Sequence, residues 1–157
     1  MMSKRCEYAL RALIDLALAR GAGQPLLAIP EIAARERIPE KFLEQILLQL
    51  RRAGVLRSIR GRAGGYALAR APRAIRMGTV VRLVDGPLAP ISCVSRTAYE
   101  PCSCPDEAHC GLRMVMAEAR DAIASILDGY TLADVVRETH RSYRRDRLPV
   151  PFSPGEV

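Results

Sequence analysis

Residues 39–70 read PEKFLEQILLQLRRAGVLRSIRGRAGGYALAR, and the hydrophobic period changes within them. From Pro39 to Leu50 or Arg52 the apolar side chains Phe42, Leu43, Ile46, Leu47 and Leu50 recur every three and four residues. That spacing predicts a helix with one buried face. Ala53-Gly54 then supplies a helix stop. Two short runs follow, 55–60 and 66–69, on either side of Gly61-Arg62-Ala63-Gly64-Gly65. Glycines in that loop allow the positive φ of a tight turn, so the pair reads as a β-hairpin.

Working outward, residues 4–20 place Tyr8, Leu10, Leu13, Ile14, Leu16 and Leu18 at helical spacing, and Gly21 to Pro25 end that helix. A short helix is expected from Glu31 to about Glu36, with Pro30 suited to its first turn, and Arg37-Ile38-Pro39 forms the turn into the longer helix. Helix, short helix, turn, longer helix and hairpin is the order of a winged helix-turn-helix. Beyond the hairpin, 77–85 reads as a short helix stopped by Gly86-Pro87. The stretch from Pro87 to Gly111 has no period. From Leu112 a stripe of Leu112, Val115, Met116, Ala119, Ile123, Ile126 and Leu127 predicts a long helix ending at Gly129. Thr131 caps a last helix from 132 to about 144. The expected fold is mainly α with a small β-hairpin wing. Its units are a winged helix-turn-helix at 1–86, a cysteine-rich loop at 87–111, a dimerisation helix and C-terminal helix at 112–146, and a loose tail at 147–157.

Charge narrows the function. The chain of 157 residues has 24 Lys and Arg against 17 Asp and Glu, a formal charge of +7. Between Arg51 and Arg76 stand eight arginines and no acidic residue, the footprint of an anion-binding surface. Trp is absent and aromatics make up 4%, which argues against a stacking platform for single strands. A helix fits the major groove of duplex DNA and can read base edges there. Gln45 suits adenine, Glu44 suits cytosine, and Lys41 suits guanine or phosphate. Arg60 and Arg62, flanking the glycine turn, suit a narrow minor groove or phosphate. Arg51, Arg52 and Arg57 read as phosphate contacts, which position without specifying. His109 and His140 are the only histidines, and neither lies in a nucleophile or metallohydrolase motif, so an enzyme is not expected. No run approaches the length of a bilayer span, and charges interrupt the N-terminus too often for a signal peptide. A reducing, cytoplasmic setting is the expectation, with no membrane partner.

These residues carry a resemblance. Phe42-Leu43-Glu44-Gln45-Ile46-Leu47, Leu50-Arg51, Ala53-Gly54-Val55-Leu56, Ser58-Ile59-Arg60-Gly61 and Gly64-Gly65-Tyr66-Ala67-Leu68-Ala69 resemble the signature of the IscR/NsrR/CymR family of bacterial regulators. Tyr8-Ala9-Leu10-Arg11-Ala12-Leu13 is similar to the family's opening, and the likeness runs over roughly residues 3 to 140. It implies a homodimer held by a long C-terminal helix on a two-fold, double-stranded DNA operator. It also implies DNA contacts at Lys41, Glu44, Gln45 and Arg60.

Cys93, Cys102, Cys104 and Cys110 lie within eighteen residues of the aperiodic loop. In a reducing compartment, soft thiolates at such spacing suit an iron–sulfur cluster or zinc, with a thiol–disulfide sensor as the other reading. The resemblance implies a 2Fe–2S or 4Fe–4S cluster on three loop cysteines, with a variable non-cysteine ligand that in some members comes from the first helix. Glu7 occupies that position here; an exposed first-turn carboxylate favoured by the helix dipole is the equal alternative. The chain departs from the pattern in a longer first gap, in four loop cysteines, and in having no histidine a few residues after Cys110. Cys6, among apolar neighbours on the first helix, reads as a packing residue. The function expected is a regulator, of repressor type, whose operator affinity follows the loop's state. A cluster carrier or electron-transfer protein is the reading outside transcription.

Overall fold

The structure, a computed structural model, describes residues 2–152. Its first helix, α1 (Lys4–Gly21), starts where the Ser3 hydroxyl accepts from the Cys6 N–H at 3.0 Å. Alanine and leucine on nearly every side of α1 leave Cys6, Ala9, Ala12, Leu13, Leu16 and Ala17 buried. A helix with so wide an apolar face belongs inside a core, and the next two helices and the wing pack on this one.

Helix α2 (Ile29–Glu36) begins two residues before the expected start, because Pro30 sits in the first turn where no N–H is needed. Arg37 then takes the left-handed conformation (φ 51°) and returns its N–H to the end of α2. Its neighbour Ile38 is buried, which anchors the turn. Helix α3 (Glu40–Arg52) buries Leu43, Ile46, Leu47 and Leu50, four of the five positions expected on its inner face, with Phe42 partly buried beside them. Strands β1 (Leu56–Ile59) and β2 (Gly65–Leu68) pair antiparallel, Leu56 opposite Leu68 and Ile59 opposite Gly65. Strand β1 is two residues shorter than its expected run, and β2 has the expected length but starts one residue earlier.

The wing glycines serve two purposes. Gly61 has the positive φ (114°) that the turn requires. Gly64 and Gly65 are needed for space instead. A Cβ on Gly64 would overlap the Ile59 carbonyl, and one on Gly65 the Leu27 carbonyl. Leu27 and Tyr66 exchange N–H···O bonds of 3.1 and 2.8 Å, so the segment before α2 pairs with β2. That pairing has no sequence signal.

Helices α4 (Met77–Asp85), α5 (Gly111–Gly129) and α6 (Leu132–Arg145) follow the expected order. Arg82 on α4 holds Asp128 at the end of α5 by two bonds of 2.6 and 2.8 Å. Gly78 admits that carboxylate, since a Cβ there would overlap it. Thr131 and Asp134 form a reciprocal capping box at the start of α6. No residue of α5 is buried. Leu112, Val115 and Ile126 are about 60% exposed, a costly arrangement for side chains whose burial is worth about 1.5–3 kcal/mol each.

The loop 87–111 contains a single 3₁₀ turn, Ser92–Val94, which packs on α5 and buries Cys93, Val94 and Ser95. At the C-terminus, Phe152 is partly buried and covers the Arg35 guanidinium at 3.6 Å. Arg35 in turn pairs at 3.0 Å with Asp15, which is buried in the core. The tail expected to be loose therefore packs as far as Phe152; residues 153–157 lie outside those described.

Candidate nucleic-acid interface and cysteine loop

The face of α3 opposite its buried stripe presents Lys41, Glu44, Gln45 and Arg52 to solvent, as the helical period requires. On the wing, Arg57, Arg60 and Arg62 are exposed as well. Among the described residues no carboxylate lies within ion-pair distance of Lys41, Arg52, Arg57, Arg60 or Arg62. Their charge is thus available to an external anion. Arg51 differs, because it donates to the Ser58 hydroxyl at 3.1 Å and ties the end of α3 to β1.

Two residues that sequence reading passed over set the pose of α3. Arg5 donates to the Gln49 side-chain carbonyl at 3.0 Å, and the Gln49 amide donates to the Leu83 carbonyl at 3.0 Å. This relay links α1, α3 and α4. The signal for it was a polar residue at a half-inward position of an otherwise apolar helix face.

Four of the five cysteines lie in the loop, with Cys102 near enough to Cys93 and Cys104, and Cys110 near enough to Cys104, to raise their thiol pKa values. All four are free thiols: Cys93 is buried, Cys102 and Cys110 are half-buried, and Cys104 is exposed. Burial, then the neighbouring Cys102, pushes the Cys93 thiol up. Hydrogen bonding to Cys102, with burial and Cys110 behind it, pushes Cys104 up to about 11. Both shifts favour the protonated thiol, and a metal centre would have to displace those protons.

The donors suit a thiophilic centre in kind but are not disposed around one point. As placed, they form a chain rather than a shell: among the described residues no three His, Cys, Asp or Glu side chains are disposed to hold a single metal ion. His109 is turned to Asp106, at 2.7 Å, and is exposed. Glu7 lies on α1, paired with Lys4 at 2.7 Å and Arg11 at 3.5 Å, and the Lys4 hydrogen bond lowers its pKa. The thiol of Cys6 is buried and pushed up to about 11 by that burial, the behaviour of a packing residue.

Both ends of the loop are fastened to α5. Cys110 directly precedes α5, with no side-chain capping bond, and its carbonyl accepts from the Met114 N–H at 3.2 Å. Arg113 donates to the Cys93 carbonyl at 3.3 Å, and Arg120 to the Val94 carbonyl.

Residues 2–138 match the family profile described as Rrf2, iron-dependent transcriptional regulator. An HTH-type transcriptional regulator of Rhodobacter capsulatus, named rrf2-like, is 49% identical over 87% of this chain and 92% of its own. The solved structure of CymR (YrzC), the global cysteine regulator of B. subtilis, superposes with a TM-score of 0.73 at 32% identity, covering 88% of this chain and 98% of that one. IscR from T. potens superposes with a TM-score of 0.70 at 29% identity, covering 90% of each.

Proposed function

The chain belongs to the Rrf2 family of transcriptional regulators, and from that premise we propose that it is a cytoplasmic, homodimeric repressor whose operator affinity is set by an iron–sulfur cluster in the cysteine loop. The observation that carries this reading is the double attachment of the loop to α5. A change at Cys93 or Cys110 reaches the exposed helix directly, through the Arg113 contact and through the Met114 N–H. A second copy laid on the α5 stripe would cover Leu112, Val115 and Ile126 and give the two recognition helices a common frame. Rotation of one α5 on the other would then change their spacing, and a ligand that binds one arrangement better shifts the population toward it.

In this reading Lys41, Glu44 and Gln45 face the major groove, and Arg60 and Arg62 enter the minor groove or hold its phosphates. Arg52 and Arg57 neutralise backbone, while Arg51 divides its charge between DNA and Ser58. When bound, the cluster supplies a thiolate-held centre that responds to oxidant or to loss of iron. Cys93, Cys102, Cys104 and Cys110 are the residues that would hold it.

A thiol–disulfide switch is the second reading, favoured by the exposed Cys104 beside two half-buried thiols. Zinc on the same cysteines is a third reading; among the described residues no three donors converge on one ion, which bears on zinc and cluster alike. Anaerobic purification with iron and sulfide analysis, followed by operator binding in the loaded and stripped states, separates the readings. Iron and sulfide together with a state-dependent affinity support the cluster. A colourless protein with stoichiometric zinc, or equal affinity in both states, overturns it.

A further inference from the structure

Arg5 stands in the first turn of α1, where the helix dipole opposes a cation. Lys4 beside it is paired with Glu7, but among the described residues no carboxylate lies within ion-pair distance of Arg5. Its Nε donates to the Gln49 side-chain carbonyl at 3.0 Å, and Gln49 is itself fixed by the Leu83 carbonyl. The start of α1 is fixed too, because the Ser3 N–H donates to the Asp85 carboxylate at 2.8 Å. One edge of the Arg5 guanidinium is thus anchored, and among the described residues its Nη groups have no hydrogen-bond partner. Arg5 borders a groove of about 450 Å³ between α1, α3 and α4, whose lining includes Gln45, Gln49, Arg52 and Leu83 and no acidic residue. Gln45 and Arg52 are exposed on the face of α3 that also offers Lys41 and Glu44. Two guanidinium groups therefore line one open groove, continuous with the candidate DNA face and without a counter-charge.

We propose that Arg5 is a further operator contact, a phosphate ligand at the start of α1 that extends the DNA surface from α3 across this groove, with Gln49 as its positioning residue. The role rests on the reading that the exposed face of α3 lies on duplex DNA. A guanidinium donates to phosphate oxygens as a planar fork, and a fork already held along one edge loses less freedom on making the contact. Arg52, lining the same groove, adds a second positive charge toward the backbone. Phosphate carries no sequence information, so the contact adds affinity and register without changing which bases are preferred.

The test compares full-length wild type with Arg5→Ala, Arg5→Lys, Gln49→Leu and Arg141→Ala. The last removes an equal charge from α6, where Arg141 pairs with Glu138. Far-UV circular dichroism confirms that each is folded; if Arg5→Ala is not, Arg5→Gln is read in its place. The probes are two fluorescein-labelled duplexes, one of random sequence and one enriched by wild type from a random-sequence pool, titrated by anisotropy over a salt series. Arg5→Ala is expected to weaken binding to both duplexes by the same factor, roughly tenfold, and to reduce the slope of log K against log salt by about 1 per protomer. Arg5→Lys should keep the slope and lose part of the affinity. Gln49→Leu should do likewise, because the charge remains and only its hold is lost. Arg141→Ala should match wild type. An unchanged slope in Arg5→Ala overturns the proposal, and a lost preference for the enriched duplex at that unchanged slope shows that Arg5 serves only to pose α3. An equal loss of slope in Arg141→Ala also overturns it, since net charge then accounts for the effect. Wild type that binds neither duplex overturns the DNA-binding reading and the proposal with it.

Discussion

Arg60 and Arg51 show how residues of one type separate once neighbours are considered. Both fall in the run of eight arginines, and both were expected to touch DNA. Arg60 is exposed at the end of the wing strand and lies within ion-pair distance of none of the described carboxylates, whereas Arg51 is bonded to Ser58. Removing a side chain that reads a base edge or a narrow groove costs about 1–3 kcal/mol of binding. Arg60→Ala should therefore weaken operator binding by that amount, while Arg52→Ala weakens all sequences alike and reduces the slope of log K against log salt by about 1. Fluorescence anisotropy over a salt series measures both. Unchanged operator affinity for Arg60→Ala removes it from the readout.

Among the elements, α6 depends most visibly on its ends. Thr131 accepts from the Asp134 N–H, and the Asp134 carboxylate accepts from the Thr131 N–H at 2.8 Å and from its hydroxyl. Those bonds, with Arg137 behind them, hold the Asp134 pKa down at about 2, below the usual carboxylate value of about 3.9. A depressed folded pKa contributes stability that is present above the unfolded value and is lost as pH falls through the folded one. Asp134→Asn should thus be less stable than wild type at pH 6, and the difference should disappear between about pH 4 and pH 2. Denaturant titrations followed by circular dichroism at several pH values give this curve, and a gap as large at pH 2 as at pH 6 contradicts it. Thr131→Ala should cost about 1 kcal/mol at neutral pH in the same measurement. Thr131 was recognisable as a cap from the sequence; its partner was not named there.

At the scale of the molecule, the exposed stripe of α5 contrasts with the sealed core around α1. Val115 and Ile126 lie outside that core, so charging them leaves the single chain's packing intact. If the stripe is the proposed dimer contact, Val115→Glu and Ile126→Glu should each give a folded monomer in light scattering where wild type gives a dimer. Operator affinity should then fall by about a hundredfold or more, because two linked recognition helices bind far more tightly than one. Unchanged molar mass would locate the dimer contact elsewhere. Among the described residues no helix is long and apolar enough to cross a membrane, so the stripe is not read as a bilayer span.

Sequence alone determined what depends on local periodicity and chemistry. It identified the helices, the wing, the stops at Gly54 and Gly86, the basic run and the cysteine-rich loop, because each is written in neighbours a few residues apart. Tertiary structure decided what depends on distant segments meeting. Leu27 pairs with Tyr66, the Arg5–Gln49–Leu83 relay sets the pose of α3, and Arg82 clasps Asp128 across 46 positions. It also placed two acidic residues that spacing does not place, Glu7 and Glu107. Glu7, a ligand position implied by the family resemblance, is paired on its own helix with Lys4 and Arg11. Glu107 touches Cys102 because Tyr99 and Arg113 turn it there. No spacing rule encodes that contact, since the loop has no period and its shape comes from packing on α5.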